Sequence, residues 1–160
     1  MHAMAERLPT AIVWHFSSFD ELTPVELARI YRARQQVFVI EQQCIYLDAD
    51  AFDEQSHHLA AWSPDHAVPL AYARLVKPGG KYAEPSIGRV ITTAPARGLG
   101  LGRELVRRML AHSAATHPGY AIRISAQERL ARFYAEFGFS AVGSPYLEDG
   151  IAHLEMLRPA

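Results

Sequence analysis

Apolar and polar residues follow two different periods along the chain, one typical of strands and the other of helices. Short alternating or continuous apolar runs predict strands, because successive strand side chains point to opposite faces. Such runs occupy residues 12–16, 57–63, 70–76, 87–93, 120–126, 139–142 and 151–157. Helical spacing predicts one helix from Pro24 to near Glu41, a second after the glycines near residue 100, and a third that ends at Gly138. Thr23 and Glu26 are spaced as a capping box at the start of the first helix.

The order of these elements predicts the fold class. Strands and helices interleave, with a hairpin at residues 57–76 and a strand pair at the end of the chain, which is typical of a mixed α/β sheet. Residues 42–55 show no clear period, and neither does the connection that carries Tyr146, Glu148, Asp149 and Gly150. An irregular segment as long as residues 42–55 is often a lid or a binding loop.

Three alternate glycines stand between the fourth predicted strand and the helix that follows it. A turn of this kind, here Gly98, Gly100 and Gly102, leaves backbone N–H groups unpaired at the positive end of the helix dipole. It therefore predicts a site for a phosphate or pyrophosphate. The dinucleotide fingerprint is excluded because its third glycine would be Arg103. The nucleoside-triphosphate loop is excluded because no Gly-Lys is followed by Ser or Thr.

The composition predicts one globular domain over residues 1–160, with residues 1–10 as a flexible leader. Apolar residues make up 49% and charged residues 21% of the chain. The formal net charge of −1 argues against nucleic acid as a partner. Cys44 is the only cysteine, so no intrachain disulfide can form and a reducing, cytoplasmic location is expected. No apolar run reaches the length of a membrane span, so no membrane partner is expected.

The charged residues are separated into two regions. Residues 41–54 contain five acidic residues and no Lys or Arg, whereas residues 97–132 contain seven arginines and two glutamates. Two solvated faces would explain this pattern, and so would a cation-binding loop beside an anion-binding helix. Arg89 lies within an apolar strand, where a charge requires a partner. That partner would be a carboxylate of the acidic loop or a carboxylate of a bound acceptor.

The glycine turn and several other segments resemble one known family. Arg97-x-x-Gly100-x-Gly102, placed between a strand and a helix, resembles motif A of the Gcn5-related N-acetyltransferase (GNAT) superfamily. The likeness extends over residues 20–157 and resembles the small bacterial ElaA-like branch. The segments that carry it are residues 31–47, 56–59, 87–102, 125–127, 133–139 and 146–153.

The resemblance implies a fold, a cofactor and the residues that would hold it. The fold would be a mostly antiparallel central sheet of six or seven strands flanked by helices, with the fourth and fifth strands splayed to admit acetyl-CoA. The pyrophosphate would bind Arg97 and the amides of Gly98, Leu99, Gly100, Leu101, Gly102 and Arg103. The pantetheine arm would pair with amides of Val90, Ile91 and Thr92. Ser125 and Gln127, at the end of the fifth strand, are either further pantetheine contacts or ordinary strand-end caps.

The activity implied by the resemblance is acetyl transfer from acetyl-CoA to a primary amine of a small molecule or peptide, by direct attack. The Val90 amide would polarise the thioester carbonyl, and Tyr134 occupies the position of the family's general acid. Tyr134 also fits a core role, because it belongs to an apolar helical stripe. The alternative function is a CoA-binding regulatory module without efficient turnover. A homodimer through the final hairpin or an exposed sheet edge is left open.

The acceptor side is assigned to the acidic loop and the final hairpin. Its predicted substrate-binding residues are Glu41, Tyr46, Asp48, His58, Arg89, Glu148 and His153. The general base stays open among Glu41, Asp48, His57, His58, Glu148 and His153. His57 and His58 are adjacent in a strand, so they point to opposite faces and at most one faces the site. No metal is predicted, because His57, His58, Asp53 and His153 show no recurring ligand spacing.

Overall fold

A computed structural model describes residues 11–160. The predicted leader, residues 1–10, lies outside the described residues. The strands are β1 (Val13–Ser18), β2 (Ser56–Trp62), β3 (Ala71–Val76), β4 (Ser86–Thr92), β5 (Ile122–Gln127), β6 (Ser140–Ala141), β7 (Tyr146–Glu148) and β8 (Ile151–Arg158). The α-helices are α1 (Pro24–Arg34), α2 (Leu101–Thr116) and α3 (Ala131–Ala135). A π-helical segment, Gln35–Glu41, continues α1, and short 3₁₀ turns occupy Phe19–Glu21, Asp53–Gln55, Ala94–Ala96 and Glu128–Leu130.

The strands form two antiparallel sheets that lie side by side. The first has the order β1-β2-β3-β4; the second has the order β5-β8-β6, with β7 also paired to β8. The fold class expected from the sequence is confirmed. The described residues contain eight strands where six or seven were expected, because β7 lies in the segment predicted as a loop. Asp149 and Gly150 have φ of +50° and +75° and close a two-residue turn between β7 and β8, a connection that favours tight hairpins.

The first sheet is covered on both faces, which explains the continuous apolar run of β3. Leu59, Ala73 and Leu75 belong to the same apolar cluster as residues of α2 such as Leu105 and Met109. The alternate residues Ala60 and Tyr72 belong to a second cluster with residues of α1 and the π-helical segment, including Ile30 and Phe38. Since successive strand residues point to opposite faces, a strand covered on both faces is mostly apolar, and Arg74 is the one charged residue of β3.

The start of α1 follows the predicted cap. Thr23 Oγ1 accepts from the Glu26 amide at 3.1 Å, and Glu26 Oε2 accepts from the Thr23 amide at 2.8 Å. The helical path ends at Glu41 as expected, but its last seven residues widen into π geometry, in which Gln42 N–H donates to the Val37 carbonyl five positions back. The π-helical segment is followed directly by residues 42–55, the segment without a clear period.

Candidate active site

The glycine turn forms an open cradle at the start of α2. Gly98 and Gly100 have φ of +82° and +77°, in the left-handed region where other residues are strained. A Cβ at either position would meet no atom within 4 Å, so the space beside the turn is open. Gly100 is the N-cap of α2 and has no side chain to satisfy the first-turn N–H groups. The turn therefore fits an anionic group such as a pyrophosphate.

The two arginines of the turn are paired with carboxylates. Arg97 Nη2 lies 2.5 Å from Glu41 Oε2 and donates to the Thr92 carbonyl at 3.1 Å. Arg103 forms two hydrogen bonds with Glu136, at 3.1 and 3.0 Å. Exposed pairs of this kind contribute only about 0–1 kcal/mol. A phosphate can therefore replace the carboxylate beside either arginine at a small cost in free energy. Glu41 thus lies beside Arg97 at the glycine turn and not on the acceptor side where the sequence interpretation put it.

A bulge interrupts β4 at the centre of the molecule. The register passes from Tyr72 opposite Ile91 to Arg74 opposite Gly88, so Ala73 alone faces both Arg89 and Val90. Arg89 has φ of +51°, a conformation uncommon for residues other than glycine. A bulge leaves one residue of the strand out of the ladder and redirects its backbone. The strain therefore lies beside Val90, the residue whose amide is predicted to polarise the thioester carbonyl.

The strands β4 and β5 touch at one end and diverge toward the other. The Arg123 amide donates to the Pro85 carbonyl at 3.1 Å, and no ladder joins the two strands beyond that point in the described residues. A cavity of about 360 Å³ fills the gap. It is lined by residues 86–90 of β4, residues 124–127 of β5, parts of the 42–52 segment, and the β7–β8 hairpin. This is the splay that the resemblance implied.

The cavity brings together eight of the predicted site residues. Those that line it are Tyr46, Arg89, Val90, Ser125, Gln127, Tyr134, Glu148 and His153. Ile91 belongs to the apolar cluster that contains Ile30 of α1. The Cγ2 atom of Thr92 would lie 3.8 Å from a Cβ added at Gly102. The strand β4 therefore leads directly from the cavity to the glycine turn.

Tyr134 is buried at the inner wall of this cavity. Its ring packs edge-to-face against Phe133 and Phe139, at centroid distances of 5.1 and 5.9 Å. The apolar surroundings raise the pKa of Tyr134 to about 12. Within residues 11–160 its hydroxyl has no hydrogen-bond partner. Tyr134 is thus both part of the core and a lining residue with an unused O–H donor.

The acidic segment does not present a free negative surface to the cavity, contrary to the sequence interpretation. Three of its aspartates, Asp48, Asp50 and Asp53, pair with three arginines from separate elements. Arg34 of α1 donates to Asp48 Oδ2 at 2.8 Å and to Asp53 Oδ1 at 2.7 Å. Arg74 of β3 contacts Asp50 Oδ1 at 2.5 Å and Asp53 Oδ1 at 2.9 Å.

Arg89 completes this cluster of three arginines and three aspartates. Its Nε lies 2.9 Å from Asp48 Oδ1, and its Nη2 donates to Asp50 Oδ2 at 3.2 Å. The sequence left two partners open for Arg89, a carboxylate of the acidic loop and a carboxylate of a bound acceptor. In the structure Arg89 pairs with the acidic loop. Asp48 is buried and does not line the cavity, so the proposal that it contacts the acceptor is corrected: it holds Arg34 and Arg89 in place.

The arginines control the charge state of the cluster. Burial by itself would raise the pKa of Asp53, but hydrogen bonds and charge from Arg34 and Arg74 outweigh it, so the pKa lies below its usual value. The pKa of Asp50 is lowered in the same way, with Arg74 opposing the effect of burial. Asp50 and Asp53 are therefore ionised at neutral pH, and the cluster ties the irregular segment to α1, β3 and β4.

His58 is also corrected, from an acceptor contact to a buried structural residue. It is 1% exposed, and its Nε2 lies 2.9 Å from the Asp53 carbonyl. A carbonyl only accepts, so Nε2 carries the proton and Nδ1 accepts from the Tyr72 hydroxyl at 2.7 Å. Burial lowers the pKa of His58 and keeps it neutral. His57 faces the other side of β2 and stacks on Phe16, so the predicted opposition of the two histidines is confirmed.

The β7–β8 hairpin forms the wall of the cavity that holds titratable groups. His153 Nδ1 lies 2.8 Å from the Ile151 carbonyl, and its Nε2 lies 3.5 Å from Glu148 Oε2. Ser125 Oγ contacts the Tyr146 hydroxyl and donates to Glu148 Oε2 at 3.4 Å. Tyr146 stacks on His153 with ring centroids 6.1 Å apart. Because the Ile151 carbonyl only accepts, Nδ1 of His153 carries the proton of this contact, and Nε2 faces Glu148.

The sequence interpretation missed three residues of the site, Arg34, Arg74 and Lys81. Arg34 occupies an apolar position of the first helix, and Arg74 lies within a buried strand. A charge inside an apolar run was the signal that drew attention to Arg89, and the same signal was available for both. Lys81 lines the cavity from the β3–β4 loop, where no periodic pattern marks it.

Between residues 11 and 160, no three His, Cys, Asp or Glu side chains are grouped so that they could hold a metal ion. Over the same residues no helix has the length and apolar character needed to cross a membrane.

The fold and the splayed strands define the class of protein. A family profile described as an acetyltransferase (GNAT) domain matches residues 25–158. The chain belongs to the GNAT family of acyltransferases.

Within that family, the chain falls in the ElaA-like branch. Protein ElaA of Escherichia coli is 36% identical over 149 residues, which cover 92% of this chain and 96% of ElaA. A UPF0039 protein of Synechocystis is 44% identical over 146 residues, which cover 91% of this chain and 94% of that protein. Among solved structures, an acyl-CoA N-acyltransferase of Pseudomonas aeruginosa has a TM-score of 0.88 at 37% identity, covering 92% of this chain and 99% of that one. The crystal structure of E. coli ElaA has a TM-score of 0.85 at 34% identity, with the same coverage.

Proposed function

We propose that the protein transfers an acetyl group from acetyl-CoA to a primary amine. One observation carries the proposal: Val90 at the bulge of β4 and Tyr134 line the same cavity, and β4 runs from that cavity to the uncapped glycine turn. A CoA thioester has a pyrophosphate at one end and a reactive carbonyl at the other, joined by an extended arm. The chain offers groups suited to each part in the matching order.

The glycine turn supplies the anion site. Gly100 leaves the N–H groups at the start of α2 without a side-chain cap, and the open space beside Gly98 and Gly100 lets a phosphate approach the backbone closely. The predicted contact of the Leu99 amide is corrected, because that amide already donates to the Ala96 carbonyl at 3.3 Å. Charge-assisted hydrogen bonds contribute more than the helix dipole, which adds only about 0.3–1 kcal/mol at an exposed site. Bound CoA supplies an activated acyl group, and the remaining chemistry falls to side chains and amides of the cavity.

The bulge of β4 supplies the donor for the developing oxyanion. The ladder cannot pair both Arg89 and Val90 with Ala73, so an amide at this point is free to face the cavity. A preorganised backbone donor of this kind is worth about 3–4 kcal/mol when charge develops on a carbonyl oxygen. The buried arginine–aspartate cluster holds the bulge, because Arg89 is itself fixed by Asp48 and Asp50.

Tyr134 donates a hydrogen bond to the leaving sulfur and keeps its proton. With a tyrosine pKa of about 12 and a thiol pKa of about 8.5, complete transfer would be uphill by roughly 5 kcal/mol. A hydrogen bond to a charged partner is worth about 1.5–3 kcal/mol. The contribution of Tyr134 therefore corresponds to about one to two orders of magnitude in rate.

The pair of His153 and Glu148 accepts the proton of the amine. An alkyl ammonium with a pKa of about 10.4 must lose a proton at a cost of about 4–5 kcal/mol near pH 7. His153 Nε2 faces Glu148 Oε2 at 3.5 Å, and both residues line the cavity. The carboxylates of Glu148 and Asp149 on the same wall favour a cationic acceptor.

The test measures CoA binding and turnover separately. Binding of CoA is measured by calorimetry, and release of free thiol from acetyl-CoA is followed with a panel of amines, polyamines, amino acids and peptides. We expect micromolar-range binding and amine-dependent thiol release. Binding with no release above background for any acceptor would favour the alternative, a CoA-binding regulatory module. Absence of CoA binding would contradict both functions.

A further inference from the structure

The chain has a primary amine of its own among the residues that line the cavity. The 160-residue sequence contains two lysines, Lys77 and Lys81, and both lie in the loop between β3 and β4. Both side chains are exposed, but only Lys81 lines the cavity. The two lysines are four positions apart in the same loop, so each serves as the natural control for the other.

The loop backbone directs Lys81 toward the cavity. Gly79 has φ of +76°, and its amide donates to the Tyr82 carbonyl at 2.8 Å. The amide of Gly80 donates to the Lys77 carbonyl at 3.1 Å, and a Cβ on Gly80 would lie 2.7 Å from Val76 Cγ1. A side chain at residue 80 would therefore displace its neighbours. The tight turn fixes the direction in which the next residue, Lys81, leaves the loop.

The amine of Lys81 interacts with charged groups from several elements that line the cavity. Its Nζ is 5.4 Å from the centre of the Tyr82 ring, and it interacts with the charge of Glu148 on the hairpin wall. It also interacts with the charges of Arg74, Arg89 and Asp50 of the buried cluster. The side chain stays accessible to solvent from the cavity mouth. Desolvation lowers the pKa of Lys81, so at neutral pH more of it is the nucleophilic free amine than of an ordinary lysine.

We propose that Lys81 is an internal acyl acceptor and that the protein acylates itself at this residue with a bound CoA thioester. This inference rests on the proposed function, because the thioester must reach the same cavity. An amine held beside a bound electrophile reacts with an effective concentration far above that of a free amine in solution. Lys77 has the same amino group but does not line the cavity.

The reaction balances without a further reagent. The neutral Nζ attacks the thioester carbonyl carbon, forming the C–N bond, and the C–S bond breaks with its electron pair leaving on sulfur. The proton released from nitrogen passes to Glu148 and then to the thiolate, so the products are an amide on Lys81 and the free thiol of CoA. The amide is uncharged, which removes a cation from the acceptor side of the cavity.

The test incubates the full-length protein with deuterated acetyl-CoA, so that acetyl groups acquired during expression are counted separately. Peptide mapping by mass spectrometry then follows the label on each lysine with time. We expect Lys81 to be labelled at least about 100-fold faster than Lys77, as proximity predicts. The rate should saturate with acetyl-CoA and should be independent of protein concentration, because the reaction is intramolecular.

Two variants and one binding measurement sharpen the result. The Lys77→Arg variant should take up one label as the parent does, whereas Lys81→Arg should take up none on its remaining lysine while binding CoA normally. Equal labelling of Lys77 and Lys81 would mean ordinary chemical acetylation and would overturn the inference. CoA binding with no label on Lys81 would overturn this inference alone, whereas failure to bind CoA would overturn the proposed function as well.

Discussion

Replacing Asp53 with asparagine tests whether the buried charge cluster holds the site together. Asp53 is 1% exposed, and its Oδ1 accepts from Arg34 Nη1 at 2.7 Å and from Arg74 Nη1 at 2.9 Å. Its Oδ2 accepts from the Asp50 amide at 3.1 Å. Asparagine keeps the shape but removes the charge, so two buried guanidinium groups lose a shared anion.

The expected cost is about 3 kcal/mol in the free energy of unfolding. Removing one partner of a buried pair typically costs about 3–5 kcal/mol, because the remaining charge stays buried without compensation. The lower end applies here, since Arg34 keeps Asp48 and Arg74 keeps Asp50. A loss of this size is a large fraction of the roughly 5–15 kcal/mol that stabilises a typical domain.

The pH dependence provides a second, independent readout. The pKa of Asp53 in the folded protein lies below its usual value, so the carboxylate stabilises the fold above the unfolded pKa of about 3.9. That stabilisation is lost as the pH falls through the lower folded value. The Asp53→Asn variant lacks this group, so its stability should fall less steeply than that of the parent below about pH 4.

Urea unfolding, followed by circular dichroism at several pH values, measures both effects. The exposed residue Asp20 provides the matched control, and Asp20→Asn should change stability by less than about 0.5 kcal/mol. Equal m values in all three proteins would show that the comparison concerns the same transition. If Asp53→Asn were as stable as the parent near pH 7, the assignment of the cluster as a structural anchor would be wrong.

Three further substitutions address the chemistry of the cavity. Tyr134→Phe should lower kcat by about 10- to 100-fold without loss of thermal stability, because it removes one donor to the leaving sulfur and no existing hydrogen bond; unchanged thiol release would refute that role. Gly100→Ala should weaken CoA binding about tenfold, because a side chain at positive φ costs about 1–2 kcal/mol and shifts the turn. Gly119→Ala, with φ of +80° and equally open surroundings, should destabilise the protein similarly yet leave the calorimetric CoA affinity intact. Glu148→Gln should raise KM for a cationic amine and lower kcat, with KM for acetyl-CoA unchanged, and an equal effect on both substrates in initial-rate assays would contradict its place on the acceptor side.

Local features of the site were readable from the sequence because they depend on neighbouring residues. The capping box of Thr23 and Glu26 forms as predicted, since its partners are three residues apart. The glycine turn lies between β4 and α2, where the change of period placed it. The Asp149–Gly150 turn carried the same kind of local signal, and β7 was missed only because its three residues are too few to show a period.

The partners of the charged residues could not be read in this way. Arg34, Arg74 and Arg89 come from a helix and two strands, and they meet aspartates that are 14 to 41 residues away in the chain. Periodicity shows that such a residue lies on a buried face but not which residue faces it there. For the same reason the acidic segment was interpreted as an acceptor surface, although three of its carboxylates are occupied by arginines.

The sequence by itself determined the fold class, the glycine turn and the strand that precedes it, because hydrophobic period, caps and glycines act over a few residues. Only the tertiary structure decided that His58 is buried beneath the cluster, that Arg89 sits at a bulge, and that Lys81 enters the cavity. These facts depend on how separate elements pack, since the divergence of β4 from β5 creates the cavity and decides which side chains face it. Distances between sequence-remote groups are set by that packing, and no local pattern encodes them.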